Sequence, residues 1–126
     1  MSIFGTGIDI VEVDRISSSI EKLGDAFAKK VLHPNELKIY LATKRQAHYL
    51  AKRFAAKEAF AKAFGTGIVE GVTLPRIEIV NNQDGKPEIV LHDVTRERFQ
   101  SLDLKTIHLS ISDEKKYAVA QVILEK

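Results

Sequence analysis

The fold is decided by the stretch RFAAKEAFAKAFGTG, residues 53–67. Its alanines and long unbranched side chains favour helix, and Gly65 is a typical residue for ending one. Traced toward its N-terminal side, the pattern predicts a long helix over residues 45–64. A helix of this length needs a partner layer, and the rest of the chain has to supply it.

Glu58 is the one acid in this stretch, and helical spacing places it in the middle of the apolar face with Leu50, Phe54 and Ala61. A carboxylate that loses its hydration needs a compensating partner. Lys62, one turn later, is one candidate, and a metal ion is another. The alternative is an ordinary ion pair on a surface helix, which stabilises by about 0.2–0.5 kcal/mol.

Asp9 is the counterpart of Glu58 near the N-terminus. It interrupts a β-branched stretch over residues 2–11 that predicts a strand. Gly5 and Gly7 share its strand face, so a ligand or another backbone can approach closely there. The alternative is a strand end at which Asp9 caps the following turn.

The remaining pattern predicts an α+β fold in one compact domain, residues 1–126, with a mainly antiparallel sheet packed against the long helix. The Asp-Gly pair at 84–85 is a strong turn signal between two strands, and the link 113–116 predicts a terminal hairpin. Asp93 is expected to cap a helix that ends near Leu102. The other elements are expected at 13–23, 25–31, 36–42 (after Pro34), 76–80, 88–91, 106–112 and 117–124.

Composition excludes several classes of protein. The chain has 126 residues, 44% of them hydrophobic and 29% charged, with no cysteine and a net charge of +2. The small charge predicts no nucleic-acid partner, and the short apolar runs predict no membrane insertion. Without cysteine there is no disulfide or thiolate metal site, which fits a cytoplasmic protein.

Phosphate chemistry is favoured by the charge around the long helix. Residues 44–62 carry six bases and a single acid. An Asp and a Glu together suit Mg²⁺, whose coordination shell is usually completed by substrate phosphates. Lys62 and the turn Gly65-Thr66-Gly67 can add phosphate contacts, so the residues favour a pyrophosphate-containing substrate. Since Gly65 follows the negative end of the helix, the helix dipole gives no help there.

Two segments resemble the signatures of the holo-acyl-carrier-protein synthases, a family of phosphopantetheinyl transferases. They are GIDIVEVDRI at 7–16 and RFAAKEAFAKAFGTGI at 53–68. The turn 85–87 and the segment HLSISD at 108–113 also fit, in the right order. The resemblance covers essentially the whole chain. It implies an Mg²⁺-dependent enzyme that moves the phosphopantetheine arm of coenzyme A onto a serine of apo acyl carrier protein, for fatty acid biosynthesis, and releases adenosine 3′,5′-bisphosphate.

The resemblance also implies roles for individual residues. Asp9 and Glu58 become the Mg²⁺ ligands, and Glu58 and Lys62 become the catalytic pair. The general base stays open between Glu58 and a metal-bound water. Lys57 is a further candidate for phosphate contact. The expected coenzyme A contacts are Arg53, Lys62, Gly65, Thr66, Gly85, Lys86, Pro87 and His108.

The family resemblance implies a homotrimer with coenzyme A in a cleft between subunits. Acidic carrier protein is expected to dock on the first helix through Arg15 and Lys22. The chain departs from the family here, because residues 12–30 have no net charge. Asp113 is a second departure, at a position where many members have His, so it is expected to have no catalytic role.

Two other functions compete with the transferase. The first is a metal-dependent phosphohydrolase that uses Asp9 and Glu58 with water as the acceptor. The second is a trimeric module that binds coenzyme A or an acidic partner without turnover, and its affinity would survive removal of Mg²⁺.

Overall fold

The computed structural model describes residues 1–65 and 73–126. The described residues form an α+β structure whose elements follow the expected order. These are β1 (Ile3–Glu12), α1 (Val13–Leu23), α2 (Asp25–Val31), α3 (Pro34–Ala42), α4 (Gln46–Phe64), a 3₁₀ turn (Leu74–Arg76), β2 (Ile77–Asn81), β3 (Pro87–Leu91), α5 (Asp93–Ser101), β4 (Thr106–Asp113) and β5 (Tyr117–Glu125).

All strand pairs in the described residues are antiparallel, as the sequence predicts. β1, β5 and β4 form a sheet in that order, and β2 pairs with β3 in a separate hairpin. The terminal hairpin of β4 and β5 therefore places its second strand between β4 and the N-terminal strand. Asp9 lies opposite Ala120 of β5, and both face the long helix.

The long helix α4 is central, and its burial extends well beyond the apolar face that the sequence predicts. It packs on β1 and β5 on one side and on α1, α2 and α3 on others. Nearly every residue from Leu50 to Phe64 is therefore buried or half-buried, and Lys62 is the one exposed side chain among them. Glu58 is half-buried among these contacts.

Two glycines let β1 approach α4 at backbone distance. A Cβ on Gly5 would collide with the carbonyl oxygen of Ala63, and a Cβ on Gly7 with that of Ala59. Of the two reasons for glycines on this face, close approach of another backbone is the one observed. The contact holds Asp9 against the last two turns of α4.

Side chains cap the start of α3, whereas the cap expected at α5 is absent. At α3 the ring Nδ1 of His33 accepts a hydrogen bond from the amide of Asn35, and the Glu36 carboxylate accepts one from the amide of His33. The expected cap at Asp93 is wrong, because the cap position is His92 and Asp93 is the first helical residue. Among the described residues, no helix is both long and apolar enough to cross a membrane.

Candidate active site

Asp9 and Lys62 form the first contact of the site. The Lys62 ammonium donates to the Asp9 carboxylate at 3.0 Å and to the carbonyl oxygen of Ile8 at 2.9 Å. The Asp9 side chain is 16% exposed and the Lys62 side chain 53% exposed, so the pair lies at the surface. Lys62 therefore bonds to Asp9, where the sequence had suggested Glu58 as its partner.

Glu58 lies beside this pair and feels both charges. Burial raises the pKa of the Glu58 carboxyl, the negative charge of Asp9 raises it further, and Lys62 opposes the shift. Two carboxylates that repel each other at a half-buried site provide hard oxygen ligands for a divalent cation. The residues present thus fit the Mg²⁺ expected from the sequence.

A cleft of about 370 Å³ opens from the two carboxylates toward helix α1. Asp9 and Glu58 line one part of it, and Arg15 and Ser19 line another. Phe27 and Phe54 add apolar walls. The structure therefore brings Arg15, the expected docking residue, into the same cleft as the expected metal ligands.

Lys22 lies outside this cleft but shares a helix stripe with Arg15. Both are exposed, and a spacing of seven residues puts them on one side of α1, roughly 10 Å apart along the axis.

The turn after α4 is only partly described. Gly65 has the left-handed conformation with φ of 92°, and its amide donates to the carbonyls of Ala61 and Lys62. The predicted helix end at Gly65 is correct, and the helix occupies the amide that was expected to help hold phosphate. Thr66, the other predicted contact of this turn, lies outside the described residues.

Lys57 is not at the site, which corrects the expectation that it contacts phosphate. It is fully buried and donates to the carbonyl oxygen of Val31 and to the Glu36 carboxylate. Burial lowers the pKa of Lys57 to about 8, and the Glu36 carboxylate opposes that shift. Glu36 also accepts from the amides of His33 and Ile79, so it joins α3, α4 and β2.

Arg53 lies next to this buried pair and reaches the hairpin turn. Its Nε is 3.8 Å from the Glu36 carboxylate, and its guanidinium carbon is 4.6 Å from the centre of the Tyr49 ring. It lines a small cleft of about 180 Å³ with Gly85 and Pro87. Three of the predicted coenzyme A contacts are therefore together.

The turn from Asn82 to Lys86 is held by its own bonds. The Asn82 side-chain oxygen accepts from the amides of Asp84 and Lys86, and the amide of Gly85, at φ of 82°, donates to the Asn82 carbonyl. A positive φ favours glycine, so Gly85 shapes the turn. The ammonium of Lys86 is carried on an exposed side chain.

His108 belongs to a second cleft, on another side of the protein. Its Nε2 lies 3.0 Å from the Glu125 carboxylate, and it lines a cleft of about 560 Å³ with Lys86 and Pro87. His108 pairs with Ile123 and points to the face of the sheet away from α4, whereas Asp9 points toward α4. Within one chain, His108 and the two carboxylates therefore lie on opposite sides of the sheet.

An apolar outer face on the sheet was not anticipated from the sequence. Ile8 and Ile10 of β1 are 61% and 65% exposed, and Val119 and Ile123 of β5 lie on the same face. The sequence did contain a signal for this face. Apolar residues lie on both faces of β1, which indicates that both faces are covered.

The buried pair of Glu36 and Lys57 was also missed, since 21 residues separate them.

Known proteins place the chain in a family. Residues 5–122 match the model of the 4′-phosphopantetheinyl transferase superfamily. The chain is 47% identical to the holo-[acyl-carrier-protein] synthase of Vibrio atlanticus and 51% identical to that of Shewanella baltica, over 125 residues in each case. The alignments cover 99% of this chain and 99% and 98% of the two relatives.

Solved structures agree with the sequence relatives. The holo-[acyl-carrier-protein] synthase of Neisseria meningitidis superposes with a TM-score of 0.96 at 42% identity, covering 99% of this chain and 100% of that one. The synthase of Bacillus anthracis, in complex with coenzyme A (3′,5′-ADP), gives 0.83 at 40% identity and covers 98% and 97%.

The fold and the full-length family matches define a transferase. The chain belongs to the 4′-phosphopantetheinyl transferase superfamily and, within it, to the holo-[acyl-carrier-protein] synthases. The α+β class and the family resemblance inferred from sequence are confirmed. The protein is a transferase, which favours this function over the phosphohydrolase and the binding module.

Proposed function

We propose that this transferase holds Mg²⁺ with Asp9 and Glu58 and uses that centre to act on coenzyme A and apo acyl carrier protein. The activity is transfer of phosphopantetheine from coenzyme A to the carrier protein, as in the holo-[acyl-carrier-protein] synthases. The observation that supports the metal assignment is the arrangement of two mutually repelling carboxylates and one exposed ammonium on β1 and α4. We propose that residues 1–126 act as one transferase domain.

The reaction joins the carrier to the arm and releases the nucleotide. The serine oxygen forms a bond to the phosphorus of the arm, and the bond from that phosphorus to adenosine 3′,5′-bisphosphate breaks. When bound, Mg²⁺ neutralises the pyrophosphate and the charge that builds on the leaving phosphate. Lys62 would turn its exposed ammonium from Asp9 to the phosphate oxygens. The serine proton goes to Glu58 or to a water, the two acceptors that the residues allow.

The cleft beside helix α1 is proposed as the carrier-protein site. Arg15 lines it together with Asp9 and Glu58, so a carrier bound to Arg15 would lie close to the metal ligands. Lys22 extends the same stripe, and Phe27 and Phe54 offer an apolar surface. We assign Arg15 and Lys22 to recognition of acidic groups on the carrier.

Coenzyme A is proposed to lie between two copies of the chain in a homotrimer. One copy would supply Asp9, Glu58 and Lys62, and its neighbour would supply contacts from the Gly85-Lys86-Pro87 turn and His108. Arg53 belongs to the turn side, because it lines a cleft with Gly85 and Pro87. The apolar outer face of the sheet supports such an assembly, since exposed patches of this kind mark interfaces. We propose a cytoplasmic location, which the absence of cysteine fits.

Calorimetry of coenzyme A binding tests the metal assignment. In Mg²⁺ the wild-type protein should bind coenzyme A more tightly than in EDTA, by roughly 5- to 150-fold, the usual range of coupling between two ligands. Asp9→Ala and Glu58→Ala should lose this dependence on Mg²⁺ because each removes a ligand. Glu97→Ala, which removes an exposed carboxylate on α5, is the matched control. An unchanged Mg²⁺ effect in either ligand variant would refute the assignment.

A further inference from the structure

A second group of metal-ligating side chains lies away from the transferase site. It consists of His33 at the start of α3, Glu78 on β2 and His92 before α5. One ligand atom from each residue lies within 4.8 Å of the others. Nε2 of His92 is 2.8 Å from Oε1 of Glu78, and Nδ1 of His33 is 3.9 Å from the same oxygen.

The burial and surroundings of the cluster suit an ion with access from solvent. Glu78 is 8% exposed in its side chain, whereas the two histidines are 20% and 32% exposed. Both histidines line an open cleft of about 600 Å³. Arg76, on the rim of that cleft, forms an ion pair with Asp93 at 3.7 Å, which offsets its repulsion of a cation.

The donor chemistry selects the class of ion. Two imidazole nitrogens and one carboxylate oxygen, with a fourth position left open, are a known ligand set of zinc. Mg²⁺ prefers oxygen ligands and would be a poor match. We propose that His33, Glu78 and His92 bind a divalent transition-metal ion of the zinc class, with the fourth position facing the cleft.

The carboxylate is already oriented by a neighbour. The side-chain nitrogen of Asn35 donates to Oε2 of Glu78 at 3.2 Å, which leaves Oε1 directed to the two histidines. Such outer-shell bonds fix metal ligands in place.

Binding requires a small local rearrangement. Zinc–nitrogen bonds of about 2.1 Å place tetrahedral ligand atoms about 3.4 Å apart. His92 and Glu78, at 2.8 Å, would move slightly apart, whereas His33, at 3.9 Å from Glu78, would move closer. His33 would give up the bond it accepts from the Asn35 amide, and His92 its bond with Glu78. The ion would then link α3, β2 and the start of α5.

Zinc titration followed by nitrogen NMR of the four histidine rings tests the site. The experiment uses the full chain with Mg²⁺ in excess, so that Asp9 and Glu58 are occupied. We expect the ring nitrogens of His33 and His92 to shift together, saturating at one zinc per chain. The rings of His48 and His108 should stay unchanged. Equal shifts at His108 or His48, or no saturable shift, would overturn the proposal.

Variants add a second measurement. His33→Asn keeps a good helix cap. In a chelator competition assay, His33→Asn and His92→Asn should each weaken zinc binding at least tenfold. His108→Asn is the matched control, because it removes the histidine of another His–Glu pair that has no second histidine in the described contacts. Unchanged zinc affinity in His33→Asn and His92→Asn would also refute the site. If a variant fails to fold, the wild-type ring shifts decide alone.

Discussion

Glu58 is a half-buried carboxylate whose charge is poorly tolerated in the absence of metal. Its pKa is raised first by burial and second by the charge of Asp9. The residue that binds the metal in our proposal is thus also one that weakens the fold. Such conflicts between stability and function are common at active sites.

A stability measurement tests this view of Glu58. The folded state holds the Glu58 proton more tightly than the unfolded chain, so stability is lost as pH rises from the usual pKa of 4.5 through the raised folded pKa. Glu58→Gln removes that loss. In EDTA at pH 7 we expect a higher free energy of urea unfolding than in wild type, with the gap narrowing toward pH 4.

The control for this prediction is Glu97→Gln, at an exposed position on α5. It should leave both the stability at pH 7 and its pH dependence close to wild type. A Glu58→Gln variant less stable than wild type at pH 7 would show that Lys62 fully compensates the Glu58 charge.

The helices and strands are where sequence reasoning succeeded. α1, α2 and α4 begin and end within a residue of expectation, because Gly24 and Gly65 punctuate the pattern and helical periodicity is strong between them. The packing around α4 could not be predicted in the same way. Periodicity describes one helix, whereas burial on several sides depends on which elements arrive from elsewhere in the chain.

Two residues of the candidate site could be singled out from the sequence in the same way. Asp9 and Glu58 were identified because a carboxylate in an apolar strand or helix is unusual, and the structure places both in one cleft. Lys57 was wrongly predicted to contact phosphate because a cluster of basic residues in the sequence is typical of an anion-binding site. Its partner Glu36 comes from another helix, and no local pattern links the two.

The ion pair of Glu36 and Lys57 gives a prediction about these elements. Lys57→Met leaves the Glu36 carboxylate buried without its ammonium partner, so unfolding in urea should cost about 3–5 kcal/mol less than in wild type. In the double variant, Glu36→Gln removes the buried charge, which Lys57→Met leaves with Arg53 alone as a nearby cation among the described residues, and should restore a clear part of that loss. The exposed pair of Lys105 and Asp103 is the control, and Lys105→Ala should change stability by less than about 1 kcal/mol.

A double variant no more stable than Lys57→Met would contradict this account. It would mean that the hydrogen bonds to Glu36 from His33 and Ile79, and not the charge, carry the stabilisation.

At the scale of the whole molecule, we propose that one chain holds two halves of the site, each completed by a neighbouring copy. Asp9 faces α4, the helix that carries Glu58, whereas His108 lies on the opposite face of the sheet with Ile8 and Ile10. A second copy that covers the outer face would hide the exposed isoleucines and bring its own residues to the site. In this account, the active site is complete only in the assembled protein, so catalysis depends on assembly.

Mixing two inactive variants tests the shared site. Glu58→Ala disables the metal half, and Lys86→Glu combined with His108→Ala disables the turn half. Co-expression should form mixed trimers in which one subunit's intact carboxylates meet a neighbour's intact turn. With equal random mixing, roughly a quarter of the interfaces are complete, so about that share of wild-type activity should return. No recovery in mixed trimers would place the whole site within one chain.

The most direct test of the central claim is intact-protein mass spectrometry of apo acyl carrier protein incubated with this protein, coenzyme A and Mg²⁺. A known holo-acyl-carrier-protein synthase run on the same carrier confirms that the carrier is competent. We predict that the carrier gains the mass of one phosphopantetheine, and that the gain is lost in EDTA and in Glu58→Ala. A gain that persists in EDTA, or no gain with a competent carrier, would contradict the account of an Mg²⁺-dependent transferase.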